Sequence, residues 1–497
     1  MQTVLRRTFL QLLIVYVLVV NLFYWGILPR TALHLGLFAV VLGGIGGAAL
    51  SPKRSRKHLP LWLVFAGIAL FTLIRVISYD GSPVPLGYDP GIYKLSIEHH
   101  FAGMSTEIAF PQGFLSLTDT LLALGYSSWE ILVPVFIIFQ ICLLLGVYLA
   151  TKAWLGRDAG IVATLLMSVS VTQFQTFWYL YYKNVVAIFL LSVAVYLMKE
   201  RENDIALVLI GGMIGGIHRP TFLLFGLIYL VDMAFRSRQH FWRDAVVGAC
   251  TLLIAVLFSL HDVFGLIAAP LRDLASGTGP GTFFSLADYQ LLTLIYIPFA
   301  VIGTVILLRT RAYSPILSWA TIGLLIVFGK LFFYNRFIIM LDIAVLMLAA
   351  YGIVVLLLRH RWIGSIALTL LLISSSALVS QKMLSQGPMI SDAELEVIES
   401  LQTLPENASV VATDSYYSPW IFGYSARRTI APGLFSANRW NLSGWQQFWQ
   451  GDIRMLSEYE GPLYLYSGAK RPFPADHECL EPLWERAGSH LYRYVCS

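Results

Sequence analysis

Gly87-Tyr88-Asp89-Pro90-Gly91-Ile92-Tyr93-Lys94 lies between two hydrophobic stretches, inside a polar, acid-containing segment from 78 to 130. Almost everything around it is apolar. Of 497 residues, 57% are hydrophobic and 13% are charged, and the mean hydropathy is +0.70. Ordinary soluble domains carry about 25% charge. A stretch of roughly 20 apolar residues crosses a bilayer as a helix. Windows of that size predict 13 spans, near 8–28, 31–50, 60–78, 131–151, 159–178, 184–198, 205–218, 220–235, 245–265, 290–308, 315–333, 337–357 and 362–380. The pair 205–218 and 220–235 is short in each half and reads as one apolar stretch with a break. It is the only broken span that the sequence marks.

Charge placement gives the orientation. Basic residues collect in cytoplasmic loops. With the N-terminus inside, the inner segments are 1–7, 51–58, 152–158, 199–204, 236–243, 309–313 and 359–361, and each holds at least two Lys or Arg. The outer turns hold few: Arg30, Lys94, Lys183, Arg219, Arg272 and Arg336. The alternation requires 205–235 to be two spans. The odd count then puts the N-terminus in the cytoplasm and the tail outside. The net charge of +5 is mostly this orientation signal, so it does not indicate a nucleic-acid partner. The first apolar stretch has too long a core for a cleaved signal peptide and is expected to be retained.

Three segments are polar enough to lie outside the bilayer. They are an outer loop 79–130, a second loop 266–289 containing Ser276-Gly277-Thr278-Gly279-Pro280-Gly281, and the tail 381–497, which follows a transmembrane domain over residues 1–380. The tail predicts a small α/β domain. Ser391-Asp392-Ala393-Glu394 opens a helix with a cap and acids in its first turn. Ser409–Thr413, Pro462–Tyr466 and Leu491–Val495 have strand character. Leu480–Arg486 and His490–Tyr494 are expected to pair as a hairpin around Ala487-Gly488-Ser489, which would bring Cys479 and Cys496 close. Outside the cell the two sulfurs either pair or stay as thiols. Cys142 and Cys250 fall in spans and are expected to be packing residues.

Asp89-Pro90 supports two compatible assignments. Asp is a favoured N-cap and Pro is favoured at the first helical position, so Gly91–Phe101 is expected to be a helix, with Lys94 and Glu98 paired one turn apart. The same carboxylate, facing a cavity at the membrane surface, can take a proton from a hydroxyl. Asp80, Glu107 and Asp119 are other acids in this loop. His99 and His100 point about 100° apart on a helix and make poor joint metal ligands beside Glu98. No metal site and no cofactor is expected on these grounds. No P-loop, dinucleotide fingerprint or HExxH occurs.

Tyr88-Asp89-Pro90-Gly91-Ile92-Tyr93, Gly215-Gly216-Ile217-His218-Arg219-Pro220-Thr221 and Tyr334-Asn335-Arg336-Phe337 together resemble the GT-C superfamily of polytopic glycosyltransferases. That superfamily includes protein mannosyltransferases and aminoarabinose transferases. The first motif resembles its acidic first-loop motif, the second its polar break between short spans, and the third the Arg-aromatic start of a late span. The resemblance extends to the many spans, the large first outer loop and the outer C-terminal domain. The family's loop motif usually has two adjacent acids, whereas Pro90 follows Asp89 here, which leaves metal dependence open. The resemblance implies a polytopic α-helical fold in a plasma membrane, expected to be prokaryotic. It implies transfer of a sugar from a polyprenyl-phosphate carrier to a glycan, lipid or protein acceptor, with Asp89 as base. Arg336, Arg219 and His218, with Lys183 and Lys330, are the implied phosphate contacts, and Tyr88, Tyr93 and Glu98 line the loop.

Each has a plainer assignment. Arg336 snorkels, Arg219 ends a helix at a Pro break, His218 packs, and Asp342 pairs inside its span with a basic neighbour. Two other functions are compatible with the sequence. One is a transporter or flippase for lipid-linked glycans. The other is a scaffold whose tail presents Trp420, Trp440, Trp445 and Trp449 to a partner.

Overall fold

The computed structural model describes residues 58–496 except 80, 105–107, 109, 201–202, 236–239, 260–284, 434 and 474–477, together with Val15. The spans expected at 8–28 and 31–50, most of the loop 266–289, and the acids Asp80 and Glu107 lie outside the described residues. The rest is mostly helical. In chain order it contains α1 (Trp62–Ile77), α2 (Pro90–Phe101), α3 (Gln112–Ala123), α4 (Ser128–Leu155), α5 (Arg157–Ser168), α6 (Val171–Trp178), α7 (Tyr182–Glu200), α8 (Asp204–Ile217), α9 (Arg219–Phe235), α10 (Phe241–Leu257), α11 (Leu286–Thr293), α12 (Ile297–Arg309), α13 (Pro315–Phe328), α14 (Tyr334–Arg359) and α15 (Arg361–Ser385).

By length and composition four of these helices can cross a bilayer, or up to six if two bent pairs are each one span, and α1, α8 and α13 are shorter apolar helices. The chain is built as an integral membrane protein. α14 is its axis. Its apolar window is 83% buried, against 33% for α15, and it packs on α5, α12 and α13. A helix that is apolar all round belongs at a bundle centre.

Two expected spans are not straight. 159–178 is α5 and α6, bent by 55°, and 290–308 is α11 and α12, bent by 78°. A hydropathy window averages across such breaks and cannot register them. Both are fastened to one carboxylate in the middle of α14. Ser170, which caps α6, donates to Asp342 Oδ2 at 3.0 Å, and Gln173 Nε2 donates to the same oxygen at 2.8 Å. Tyr296, in the second break, donates its hydroxyl to Oδ1. The basic neighbour expected for Asp342 is therefore replaced by three neutral donors. In transporters, broken helices open toward a substrate; here both breaks close on a satisfied side chain.

The tail folds as α16 (Asp392–Ser400), β1 (Ser409–Ala412), α17 (Ser418–Tyr424), β2 (Arg428–Ile430), α18 (Leu442–Trp449), β3 (Leu463–Ser467), β4 (Leu480–Arg486) and β5 (Ser489–Tyr494). The sheet order is β2-β1-β3-β5-β4. β1 is parallel to both β2 and β3, and β5 runs antiparallel between β3 and β4. Alternate residues feed two cores. Val410, Ala412, Tyr464 and Tyr466 face α17, and Val411, Leu463 and Leu465 face Trp440, Trp445 and Phe448. Trp420, Trp440 and Trp445 are buried and only Trp449 is exposed, so three of the four tryptophans assigned to a partner surface are core residues. Cys479 and Cys496 are disulfide-bonded across the ends of the β4–β5 hairpin.

The tail domain is seated on the first outer loop. α2 crosses α17 so closely that a Cβ on Gly91 would run into the Pro419 carbonyl, and one on Gly423 would run into the Gly91 backbone. Lys94 Nζ donates to Glu98 Oε2 at 2.9 Å and to the Gly423 carbonyl at 3.4 Å. The Tyr88 hydroxyl donates to the Ser415 carbonyl.

Candidate active site

The loop motif is placed by its glycines. Gly87 has φ +93°, and a Cβ there would lie 2.8 Å from the Tyr179 backbone and from Leu180. The loop is thereby pressed onto the turn that opens α7. Asp89 follows at the N-cap of α2, with Pro90 in the first helical position, but its side chain makes no capping hydrogen bond. The expected capping bond is absent, and the carboxylate is left for other work. Burial raises the Asp89 pKa, while Lys183 and, more weakly, Arg336 pull it down. That balance of a desolvated carboxylate and nearby cations is how proteins tune a base.

Lys183 lies in the first turn of α7. Its ammonium sits 4.1 Å from the Phe110 ring centre and 5.7 Å from that of Tyr93. Tyr93 stacks edge-on against Phe110 at 5.1 Å and Phe114 at 5.7 Å, and burial raises the pKa of its hydroxyl. An ammonium over aromatic faces is held by the ring quadrupoles while its charge stays available. Arg336 occupies the first turn of α14, with its guanidinium carbon 5.7 Å from the Phe333 ring centre. Both cations stand at helix N-termini, where exposed N–H groups add positive potential. Two cations and two helix ends thus meet beside one carboxylate, a setting that favours an anion.

His218 occupies the break between α8 and α9 in an extended conformation, with φ −153° and ψ 104°. A Cβ on Gly113 would lie 2.7 Å from the Gly216 backbone; α3 thus packs directly onto the end of α8. The His218 ring is buried, its Nδ1 lies 2.8 Å from Thr221 Oγ1, and Arg336 and Lys183 both act on it. The fold therefore gathers Asp89, Tyr93, Lys183, His218 and Arg336 from separate stretches of chain.

The other candidates lie elsewhere. Lys330 is exposed in the turn before α14. Arg219 is half-buried at the start of α9. Glu98 accepts from Lys94 and, at 2.6 Å, from Ser128, so it ties α2 to α4. Tyr88 ties the loop to the tail domain. Asp119 pairs with His100 at 2.8 Å and joins α2 to α3. Phe110 is unmarked in the sequence. One aromatic among 30 Phe carries no mark of standing over a lysine 73 positions away. The charges beside Asp89 are cations, and no group of three or more metal-ligating side chains occurs among the described residues.

Solved structures share this architecture. The oligosaccharyltransferase of Archaeoglobus fulgidus, solved with Zn and sulfate, superposes with a TM-score of 0.62 at 14% identity over 81% of this chain and 67% of that one. ArnT from Cupriavidus metallidurans, bound to undecaprenyl phosphate, gives 0.61 at 12% identity over 87% and 98%. The chain has the GT-C fold. The mycobacterial arabinofuranosyltransferase AftD gives 0.54 at 12% identity over 89% of this chain and 42% of that one. No family model and no curated protein matches the sequence.

Proposed function

We propose that this GT-C protein is a membrane glycosyltransferase that moves a sugar from a polyprenyl-phosphate carrier to an acceptor hydroxyl at the outer membrane face. The observation that carries this is the uncapped carboxylate of Asp89 beside Lys183 and Arg336. The ArnT structure with undecaprenyl phosphate supports the class of carrier. The topology that goes with this assignment has 13 spans, a cytoplasmic N-terminus, and an extracytoplasmic domain over 381–497, in a prokaryotic plasma membrane.

Asp89 takes the proton of the acceptor hydroxyl as its oxygen bonds to the anomeric carbon. The bond from that carbon to the phosphate oxygen breaks, and both of its electrons leave with the lipid phosphate. Lys183 and Arg336 meet the charge that develops there, as fixed positive groups in a site screened from water do most effectively. Lys330 and Arg219 stay outside this chemistry. The tail domain, locked to α2 through Gly91 and Gly423, fixes the helix that Asp89 begins.

The test uses the purified full-length protein in lipid nanodiscs with a panel of undecaprenyl phosphate monoglycosides. Asp89→Asn is expected to lower turnover by at least a hundredfold, as general bases contribute about 10²–10⁴, and to leave binding of undecaprenyl phosphate within a few-fold. Full turnover in Asp89→Asn removes Asp89 as the base.

A further inference from the structure

A ring nitrogen of the cluster, His218 Nε2, is enclosed and lacks a hydrogen-bond partner among the described residues. His218 is 5% exposed. Its other ring nitrogen is committed. Thr221 Oγ1 lies 2.8 Å from His218 Nδ1 and also reaches Met340 Sδ at 3.6 Å. When Nδ1 donates to Thr221, Nε2 carries a bare lone pair, and when Nδ1 accepts, Nε2 carries the proton. Met340 stands one helical turn below Arg336 on α14. The Thr221–Met340 contact ties the start of α9 to α14, and Arg336 and Lys183 both act on the His218 ring.

A buried polar atom without a partner costs stability, and such atoms in native proteins call for an explanation. A phosphate oxygen, which only accepts, pairs with Nε2 in one of the two tautomers. A hydroxyl, which both donates and accepts, pairs with it in either. With a lipid phosphate held at Lys183 and Arg336, the group covalently joined to it is the sugar of the donor. We propose that His218 Nε2 pairs with a hydroxyl of that sugar, making His218 a sugar-selecting residue and not a phosphate contact. The proposal rests on the glycosyl-transfer assignment and gives His218 a different role from the cations around it.

The test compares bare undecaprenyl phosphate with its monoglycosides on wild type, His218→Ala and His218→Gln, all full length in nanodiscs. His218→Ala is expected to bind undecaprenyl phosphate within twofold of wild type and to lose about tenfold in affinity and kcat/KM for the glycosylated donor, the size of one hydrogen bond. His218→Gln, whose amide oxygen is an acceptor, is expected to regain much of that loss. Among monodeoxy donors, one should lose about tenfold in wild type and nothing further in His218→Ala. That non-additivity marks the paired hydroxyl. Equal losses for bare phosphate and donor would make His218 a phosphate contact and overturn the proposal. Unchanged donor discrimination would make it a packing residue and also overturn it. If wild type transfers no sugar, the transferase assignment fails. The binding comparison then still decides: a donor preference over bare phosphate that narrows in His218→Ala supports the proposal, and one that stays the same refutes it. If His218→Ala does not fold by gel filtration, Thr221→Val, which frees the ring to exchange its proton, is put through the same comparison. It is expected to lose donor preference in the same direction, and an unchanged preference refutes the proposal.

Discussion

Replacing Gly91 with alanine puts a methyl group where the Pro419 carbonyl already lies, with the Trp420 Cα only 3.2 Å away. Both obstacles are backbone, so no side chain can rotate clear. α2 and α17 must move apart, and the tail domain must unseat from the loop. Overpacking costs about 1–3 kcal/mol, and a clash against backbone belongs at the upper end. About 3 kcal/mol is a factor of roughly 150 in the docking equilibrium. Gly226, helical and facing open space in α9, is the control. Alanine there is expected to be neutral or to gain about 0.5–1 kcal/mol of helix stability. The assay is thermal unfolding of the purified protein, with limited proteolysis to follow release of the tail domain. Gly91→Ala should melt several degrees lower, shed the tail domain faster and lose turnover, because Asp89 begins the displaced helix. Gly91→Ala combined with Gly423→Ala should cost less than the sum of the two, since one separation relieves both contacts. A Gly91→Ala protein that melts with wild type and resists protease equally would refute the reasoning.

Lys183→Met removes the larger of the two charges that hold the Asp89 pKa down against burial. The base must be deprotonated to act, so the acid limb of the kcat/KM profile should move to higher pH, by on the order of one unit. An unmoved limb would separate that titration from Asp89. Asp342→Leu removes the acceptor that Ser170, Gln173 and Tyr296 share. At about 1–3 kcal/mol for each unsatisfied buried group, it should abolish stable expression. Asp342→Asn, which retains an acceptor oxygen, should be recovered as folded protein, and equal yields of the two variants would count against the fastening of both breaks. Cys479→Ser opens a link between residues 17 apart and should cost the tail domain about 3 kcal/mol. Reducing agent should lower the melting temperature of wild type but not of this variant.

The fold class was legible because membrane insertion writes itself into composition. Long apolar windows and basic inner turns are one-dimensional signals, and the tail helix at Ser391 carries its capping box in plain sequence. The bends at 169–170 and 294–296 were not legible. Their cause is Asp342, a residue in a third helix that both breaks reach, and no local window contains that convergence. Asp89 was legible as a candidate, although for a capping bond that its side chain does not make. What favours the proposed role is the approach of Lys183 and Arg336, which is a property of tertiary packing. Gly91 reads locally as part of the first turn of a helix opened by proline. Only the seating of α17 on α2 shows that it is needed for close approach. The tail tryptophans look like surface anchors along the chain and prove to be mostly the core of a thin sheet domain, where large rings fill space that a few short strands cannot.

The central claim is that Lys183 and Arg336 receive a lipid phosphate beside Asp89. A structure of the full-length protein in a lipid nanodisc with undecaprenyl phosphate tests it most directly. The phosphate is expected within hydrogen-bond reach of the Arg336 guanidinium and the Lys183 ammonium, on the side that faces Asp89. A phosphate seated instead at Arg219 or Lys330, with Lys183 and Arg336 left as they are, would contradict it.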